Sequence, residues 1–268
     1  MRIWLCLFLL ALPSGPARAE QDFRLRANHF SAEYSAEDVL AEIEVGKSLA
    51  ARILDTVPLS GNESAQRYLN SLGSYVVSKV GRPELTYYFG ILDSPDTNAY
   101  ALPGGFIFVT KEALKRAGSE AALLGILAHE IGHVNERHAV KDLRIRGASF
   151  LNQVAGALAG AQTQTFQRFL EGMLSKALVV LFRSGLSSAD EFSADRYAAS
   201  FLASVGISPA PYREFLERIH QGGIPVKIMK RTHPPLQERI RTLEAIRLNP
   251  AHLGSLNDER YKGIAASL

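Results

Sequence analysis

Ser119-Glu120-Ala-Ala-Leu-Leu-Gly-Ile-Leu-Ala-His129-Glu130-Ile131-Gly132-His133 is apolar around most of a helical circumference, yet it carries two imidazoles and a carboxylate near its end. Ser119 suits the N-cap and the apolar residues recur at helical spacing, so the segment is predicted to be a buried helix. At 3.6 residues per turn His129 and His133 share one face. Imidazoles and a carboxylate buried without partners would be costly, and one cation facing both rings supplies the partner.

Two histidines four apart with a glutamate after the first form a zinc-site pattern, in which both rings reach the ion at about 2.0–2.1 Å. Glu130 then flanks the open side. A hydrolytic site keeps three protein ligands and leaves a fourth position to water, so one more ligand is required downstream. The single cysteine, Cys6, lies near the initiator methionine. His138 is expected on the motif helix at an angle pointing away from the two rings, and His29, His138, His220 and His252 lack a partner pattern. A downstream carboxylate remains.

Ser188-Ala-Asp-Glu191-Phe-Ser-Ala-Asp195-Arg-Tyr-Ala-Ala-Ser-Phe-Leu reads as a second helix, capped by Ser187 or Ser188 and rich in small residues. Glu191 and Asp195 are again one turn apart. Such a pair can offer one ligand carboxylate and a second that accepts the free ring N–H of a ligating histidine. The spacing fits a solvated helix face beside Arg196 equally well.

Four segments occur in order: Asn98-Ala-Tyr-Ala-Leu-Pro-Gly-Gly-Phe-Ile-Phe-Val-Thr110, Leu127-Ala-His-Glu-Ile-Gly-His-Val-Asn135, Glu191-Phe-Ser-Ala-Asp195 and Thr232-His-Pro-Pro-Leu-Gln-Glu-Arg-Ile240. Together they resemble the gluzincin metallopeptidase family that contains HtpX, the periplasmic BepA-like proteases and the CAAX prenyl endopeptidase. The resemblance covers roughly residues 36–248. It implies one zinc ion per chain held by His129, His133 and Glu191, with Glu130 as general base and Asp195 as hydrogen-bond partner of His129. His233 is expected either to stabilise the tetrahedral oxyanion or to cap the zinc at rest; it also suits a helix start before Pro235. In that family an edge strand pairs with the substrate backbone, which assigns substrate binding to Asn98, Ala99, Tyr100 and Ala101. Manganese or cobalt fits the same donor set.

Residues 86–93 and 106–110 are rich in aromatic and β-branched types and predict strands, with 98–102 extended between them and Pro103-Gly104-Gly105 as the turn. Amphipathic patterns at 36–57, 63–80, 209–221 and 235–248 predict helices. The expected fold class is therefore α+β, mostly α-helical: a gluzincin domain at 36–268 with a small mixed sheet over the active-site helix. Residues 147–186 are apolar but interrupted at 162–168 and at Glu171, which argues against a membrane span and for a helical hairpin beside the metal. It reads as a lid, a buried structural hairpin, or a surface for membrane or partner.

Residues 1–13 form a short apolar run behind Arg2, and Ala17-Arg-Ala19 offers small residues for cleavage, so 1–19 is expected to be a secretory signal and 20–35 an N-terminal extension. Loss of Arg2 and Arg18, with no acid in that stretch, lowers the formal charge of +3 by two. A nearly neutral chain carries no argument for nucleic acid, and Lys141 to Arg146 is read as a solvated helix end. A secreted chain whose remainder lacks cysteine fits a periplasm or secretion. The expectation is a zinc endopeptidase of the bacterial envelope acting on misfolded or unassembled, extended polypeptides, with peripheral contact to membrane or outer-membrane assembly machinery. The alternative is a latent, zinc-bound chaperone or assembly factor with an occluded site.

Overall fold

The computed structural model describes residues 34–148, 150, 163–180, 185–221, 236–244, 256 and 258–268. Residues 1–19, most of the 20–35 extension, His233, and the 151–162 and 181–184 parts of the expected hairpin lie outside them.

The chain opens with α1 (Ala36–Leu54) and α2 (Glu63–Val80). Ser35 and Asp38 form a reciprocal capping box on α1, and Asn62 caps α2 through Ala65 N. Three strands follow: β1 (Tyr88–Leu92), β2 (Ala99–Leu102) and β3 (Phe106–Thr110). β3 is central, parallel to β1 and antiparallel to β2, which makes the sheet mixed and leaves β2 at an edge. Then come α3 (Lys111–Arg116), α4 (Glu120–Asn135), α5 (His138–Leu143), α6 (Thr163–Val179), α7 (Ser188–Ser204), α8 (Ala210–His220), α9 (Leu236–Glu244) and α10 (Asp258–Ser267). The fold is thus mostly helical with one small mixed sheet, as the sequence patterns predict. Among the described residues no helix is long and apolar enough to cross a membrane.

Strand side chains alternate between faces, and here both faces are covered. Ala99, Ala101, Ile107 and Val109 enter the core around α4, whereas Tyr100, Leu102 and Phe108 enter a second cluster with Val45 and Leu49 of α1 and Leu174 of α6. The turn between β2 and β3 folds onto α1. Gly104 has φ 74°, and a Cβ on Gly46 would lie 1.9 Å from the Pro103 carbonyl oxygen, so backbone meets backbone there.

α4 is buried along nearly its whole length and packs most extensively on α7, with α8, α2 and β2 around it. Two glycines set the approach: a Cβ on Gly125 would fall 2.6 Å from Tyr212 Cβ, and one on Gly132 would fall 3.1 Å from Tyr197 Cβ. Ser119 accepts from Ala122 N and Ser187 forms a capping box with Asp190, as their sequence positions suggest.

The motif helix is shorter than expected. It ends at Asn135, Arg137 takes a left-handed φ of 56°, and His138 begins a new helix, α5. His138 is therefore not turned away from the rings, as its angle on an unbroken motif helix would require. Along α5 and after it, Lys141, Asp142, Arg144 and Arg146 are exposed and Leu143 and Ile145 buried, as a solvated helix end requires. α10 was not anticipated. Its one fully buried side chain is Tyr261, whose hydroxyl accepts from Gly118 N at 2.7 Å and donates to the Leu114 carbonyl at 2.8 Å; Asp258 Oδ1 also accepts from Glu120 N at 3.2 Å and the Ser267 carbonyl from Asn62 Nδ2 at 2.9 Å.

Candidate metal centre

α4 presents His129 and His133 on one face and α7 presents Glu191 against them, because the small residues of both helices let their axes approach. The Nε2 atoms of the two imidazoles are 3.0 Å apart. Glu191 Oε2 lies 3.6 Å from His129 Nε2, and its Oε1 lies 3.5 Å from His133 Nε2. Tetrahedral zinc with bonds of about 2.0–2.1 Å spaces its donors by about 3.3–3.4 Å, so these separations suit one small cation. Among the described residues this is the group of histidine and carboxylate donors that could hold a metal, and all three are buried.

Charge points the same way. Glu130, Glu191 and Asp195 are buried carboxylates, and Arg239 is the guanidinium placed among them. Among the described residues the carboxylates of this group outnumber its guanidinium, an excess of negative charge that favours a cation between the rings. Two neutral imidazoles, which are borderline donors, with one carboxylate oxygen form a set that zinc accepts. The residues fit the ion.

The surrounding contacts orient the donors. His129 Nδ1 sits 3.0 Å from Asp195 Oδ1, so its Nε2 is the atom turned toward the cluster. Asp195 is held by Arg239 through Nε and Nη2, both at 2.7 Å, and accepts from the Tyr212 hydroxyl at 2.7 Å. Arg239 Nη1 also reaches Glu191 Oε2 at 2.9 Å. Burial works against ionising Asp195, but the Arg239 guanidinium and the His129 ring hold its carboxyl well below the usual range. For His129 burial and Arg239 oppose protonation, while Asp195 and Glu191 favour it more strongly, so its pKa is pushed up to about 9. These carboxylates attract positive charge onto Nε2, whether a proton or a metal.

The 98–101 segment divides. Asn98, Ala99, Tyr100 and Ala101 are all buried at the sheet edge, with α4 against β2. Thr110 N donates to the Asn98 carbonyl at 3.0 Å, and Asn98 N donates to Thr110 Oγ1 at 3.0 Å. Antiparallel pairing alternates, so Tyr100 and Leu102 face β3 as Asn98 does, while Ala99 and Ala101 turn their N–H and C=O to the open edge.

Sequence reasoning passed over Arg239, Tyr212 and His138. Arg239 sits on the apolar stripe of α9 with Leu236, Ile240 and Leu243, and a cation on a buried stripe is a signal that its partners lie inside. Tyr212 occupies the same place on α8 beside Phe215, Leu216 and Ile219. His138 Nδ1 lies 2.8 Å from His133 Nδ1.

A family model described as Peptidase family M48 matches residues 63–247. Among individual proteins, the chain is 26% identical over 211 residues to the beta-barrel assembly-enhancing protease of Escherichia coli strain K12, covering 74% of this chain and 42% of that protein. It is 26% identical over 189 residues to the metalloprotease LoiP of the same strain, covering 69% and 71%. A mitochondrial metalloendopeptidase, OMA1 of Schizosaccharomyces pombe, is 26% identical over 182 residues, covering 66% and 51%. The chain therefore spans from about two fifths to half the length of the beta-barrel assembly-enhancing relatives it matches.

Proposed function

This chain belongs to peptidase family M48, and from that premise we propose that it is a zinc-dependent endopeptidase of the bacterial envelope, acting on misfolded or unassembled polypeptides. The observation that carries the reading is the buried triad of His129, His133 and Glu191, brought together on α4 and α7 and braced by Arg239.

His129, His133 and Glu191 would hold the ion, which when bound supplies Lewis-acid chemistry, lowering the pKa of water and polarising a carbonyl. Glu130 is adjacent and buried; it takes the proton of the attacking water and passes it to the leaving amine. Asp195 keeps His129 in the tautomer whose Nε2 is a lone pair. The substrate backbone adds to the open edge of β2 through Ala99 and Ala101, with Tyr100 and Asn98 holding the strand to β3. His233 is assigned to the developing oxyanion or to closing the ion's remaining position at rest.

Residues 1–19 as an export signal and the absence of cysteine after Cys6 support the envelope assignment. Similarity to the E. coli beta-barrel assembly-enhancing protease supports substrates or partners in outer-membrane assembly.

One observation favours a second reading, a latent assembly factor with an occluded site. Glu130, the three ligand residues and the four residues of β2 are all buried, so an extended chain cannot reach them without some opening.

Cleavage of unfolded casein by the wild type beside Glu130→Gln, with metal content determined on both, separates the readings. A peptidase loses turnover in the mutant while retaining one zinc. Zinc in both proteins with cleavage by neither would overturn the peptidase reading for the chain at rest and leave the latent one.

A further inference from the structure

We infer that His138 is a positioning residue for the metal centre, holding His133 through a hydrogen-bond relay that ends on Glu136 and Ser193. The inference rests on the metallopeptidase reading.

His133 turns Nε2 toward His129 and Glu191, so a metal takes that lone pair and the ring's proton must reside on Nδ1. Nδ1 faces His138 Nδ1 at 2.8 Å, with both rings buried and nearly perpendicular, and two facing nitrogens of this kind can share only one proton. The Nδ1–H of His133 therefore donates, and His138 Nδ1 accepts. That fixes the other end, because the proton of His138 then sits on Nε2, which lies 3.1 Å from Glu136 Oε2 and 3.4 Å from Asp190 Oδ1. Ser193 donates from Oγ to the same Glu136 oxygen.

The relay gives His133 what Asp195 gives His129. One ligand histidine meets its carboxylate directly and the other meets one through an intervening imidazole. Both supports end on α7, the helix that carries Glu191: Asp195 is on it, and Ser193 and Asp190 hold the Glu136–His138 pair from it. The left-handed Arg137 is what makes this possible, since it ends α4 and swings His138 back under His133. Partners of ligand histidines typically change metal affinity by about 10–100-fold when removed.

The test is zinc affinity of the full chain, measured by competition with a chromogenic chelator, for wild type, His138→Ala, His138→Asn and Ser193→Ala. The visible spectrum of the cobalt(II) form and the melting temperature of the metal-free proteins accompany it. Expected are a loss of about 10–100-fold for His138→Ala with an altered cobalt spectrum, partial recovery in His138→Asn, whose Oδ1 still accepts, and a smaller loss in Ser193→Ala. Affinity within twofold of wild type in His138→Ala, or no recovery in His138→Asn, would overturn the relay. Should His138→Ala fail to fold, Ser193→Ala decides, and unchanged affinity there overturns it. A wild type that binds no zinc overturns the metal centre itself, a failure distinct from a tight-binding wild type matched by its variants.

Discussion

Arg239 and Asp195, on helices α9 and α7 and 44 residues apart in sequence, form a bidentate pair with both nitrogen–oxygen distances at 2.7 Å and both side chains buried. The fork-on-carboxylate geometry holds Asp195 ionised and aimed at His129, and the third guanidinium nitrogen holds Glu191. One arginine thus couples Glu191 to the carboxylate that faces His129.

Removing that arginine deprives two buried carboxylates of their guanidinium partner. Arg239→Ala is expected to lose about 3–5 kcal/mol of stability, and Arg239→Lys to recover only part of it, since a point charge cannot bridge both acids. Urea unfolding of the zinc-loaded proteins measures this. A loss under about 1 kcal/mol would mean that the pair contributes little beyond its own desolvation.

Metal removal should destabilise the fold. A ligand present at a thousand times its dissociation constant adds about 4 kcal/mol to unfolding, and stripping it with a chelator should lower the melting temperature by several degrees. Restoration by zinc but not by magnesium is expected, because the donors are two imidazoles and one carboxylate. An unchanged melting temperature after complete stripping would place the ion elsewhere.

The alternation along β2 separates two proline substitutions. Tyr100→Pro removes an N–H that faces β3 and should destabilise the protein, whereas Ala101→Pro removes one that faces the open edge. The second variant is expected to keep nearly native thermal stability while its kcat/KM on peptides falls about three- to tenfold, the worth of one backbone hydrogen bond. Equal destabilisation by both would show that the edge is not available to a substrate strand.

Asp38 supplies a pH test remote from the metal. Its Oδ1 accepts from Gly147 N at 2.7 Å, and this hydrogen bond, with help from Ser35 and Arg146, holds its pKa below the ordinary value. A depressed carboxylate contributes stability that is full above about pH 4–5 and is lost as pH falls through the folded pKa. The melting-temperature difference between wild type and Asp38→Asn should be constant near neutrality and shrink below about pH 4. Parallel curves down to pH 2 would show that the Gly147 contact does not discriminate the charged form.

Much of the fold was legible because it is local. The strands at 88–92 and 106–110, the Pro103-Gly104-Gly105 turn and the caps at Ser119 and Ser187 follow from side-chain type and spacing over a few residues. Helix α10 was not legible, since it buries only Tyr261 and has too weak an apolar period to announce itself. His138 was misread for a related reason. Nothing in Asn135-Glu-Arg-His announces a left-handed Arg137, a conformation glycine usually supplies, and one such residue redirects the chain. The role of Arg239 was not legible, because a charge on a helix is ordinarily solvated and only neighbours distant in sequence show otherwise.

What the sequence determined by itself is the pairing of side chains along each helix. A helical period puts His129 and His133 on one face and Glu191 and Asp195 on another, and these relations survive whatever else the chain does. Which further atoms meet them was decided by tertiary structure: Arg239 braces both Glu191 and Asp195, Tyr212 donates to Asp195, and His138 returns to His133. The reason is that periodicity carries information over a few residues. Pairing between α4, α7 and α9 is set by how glycines and small residues let helices approach, and by the need of every buried charge to find its partner.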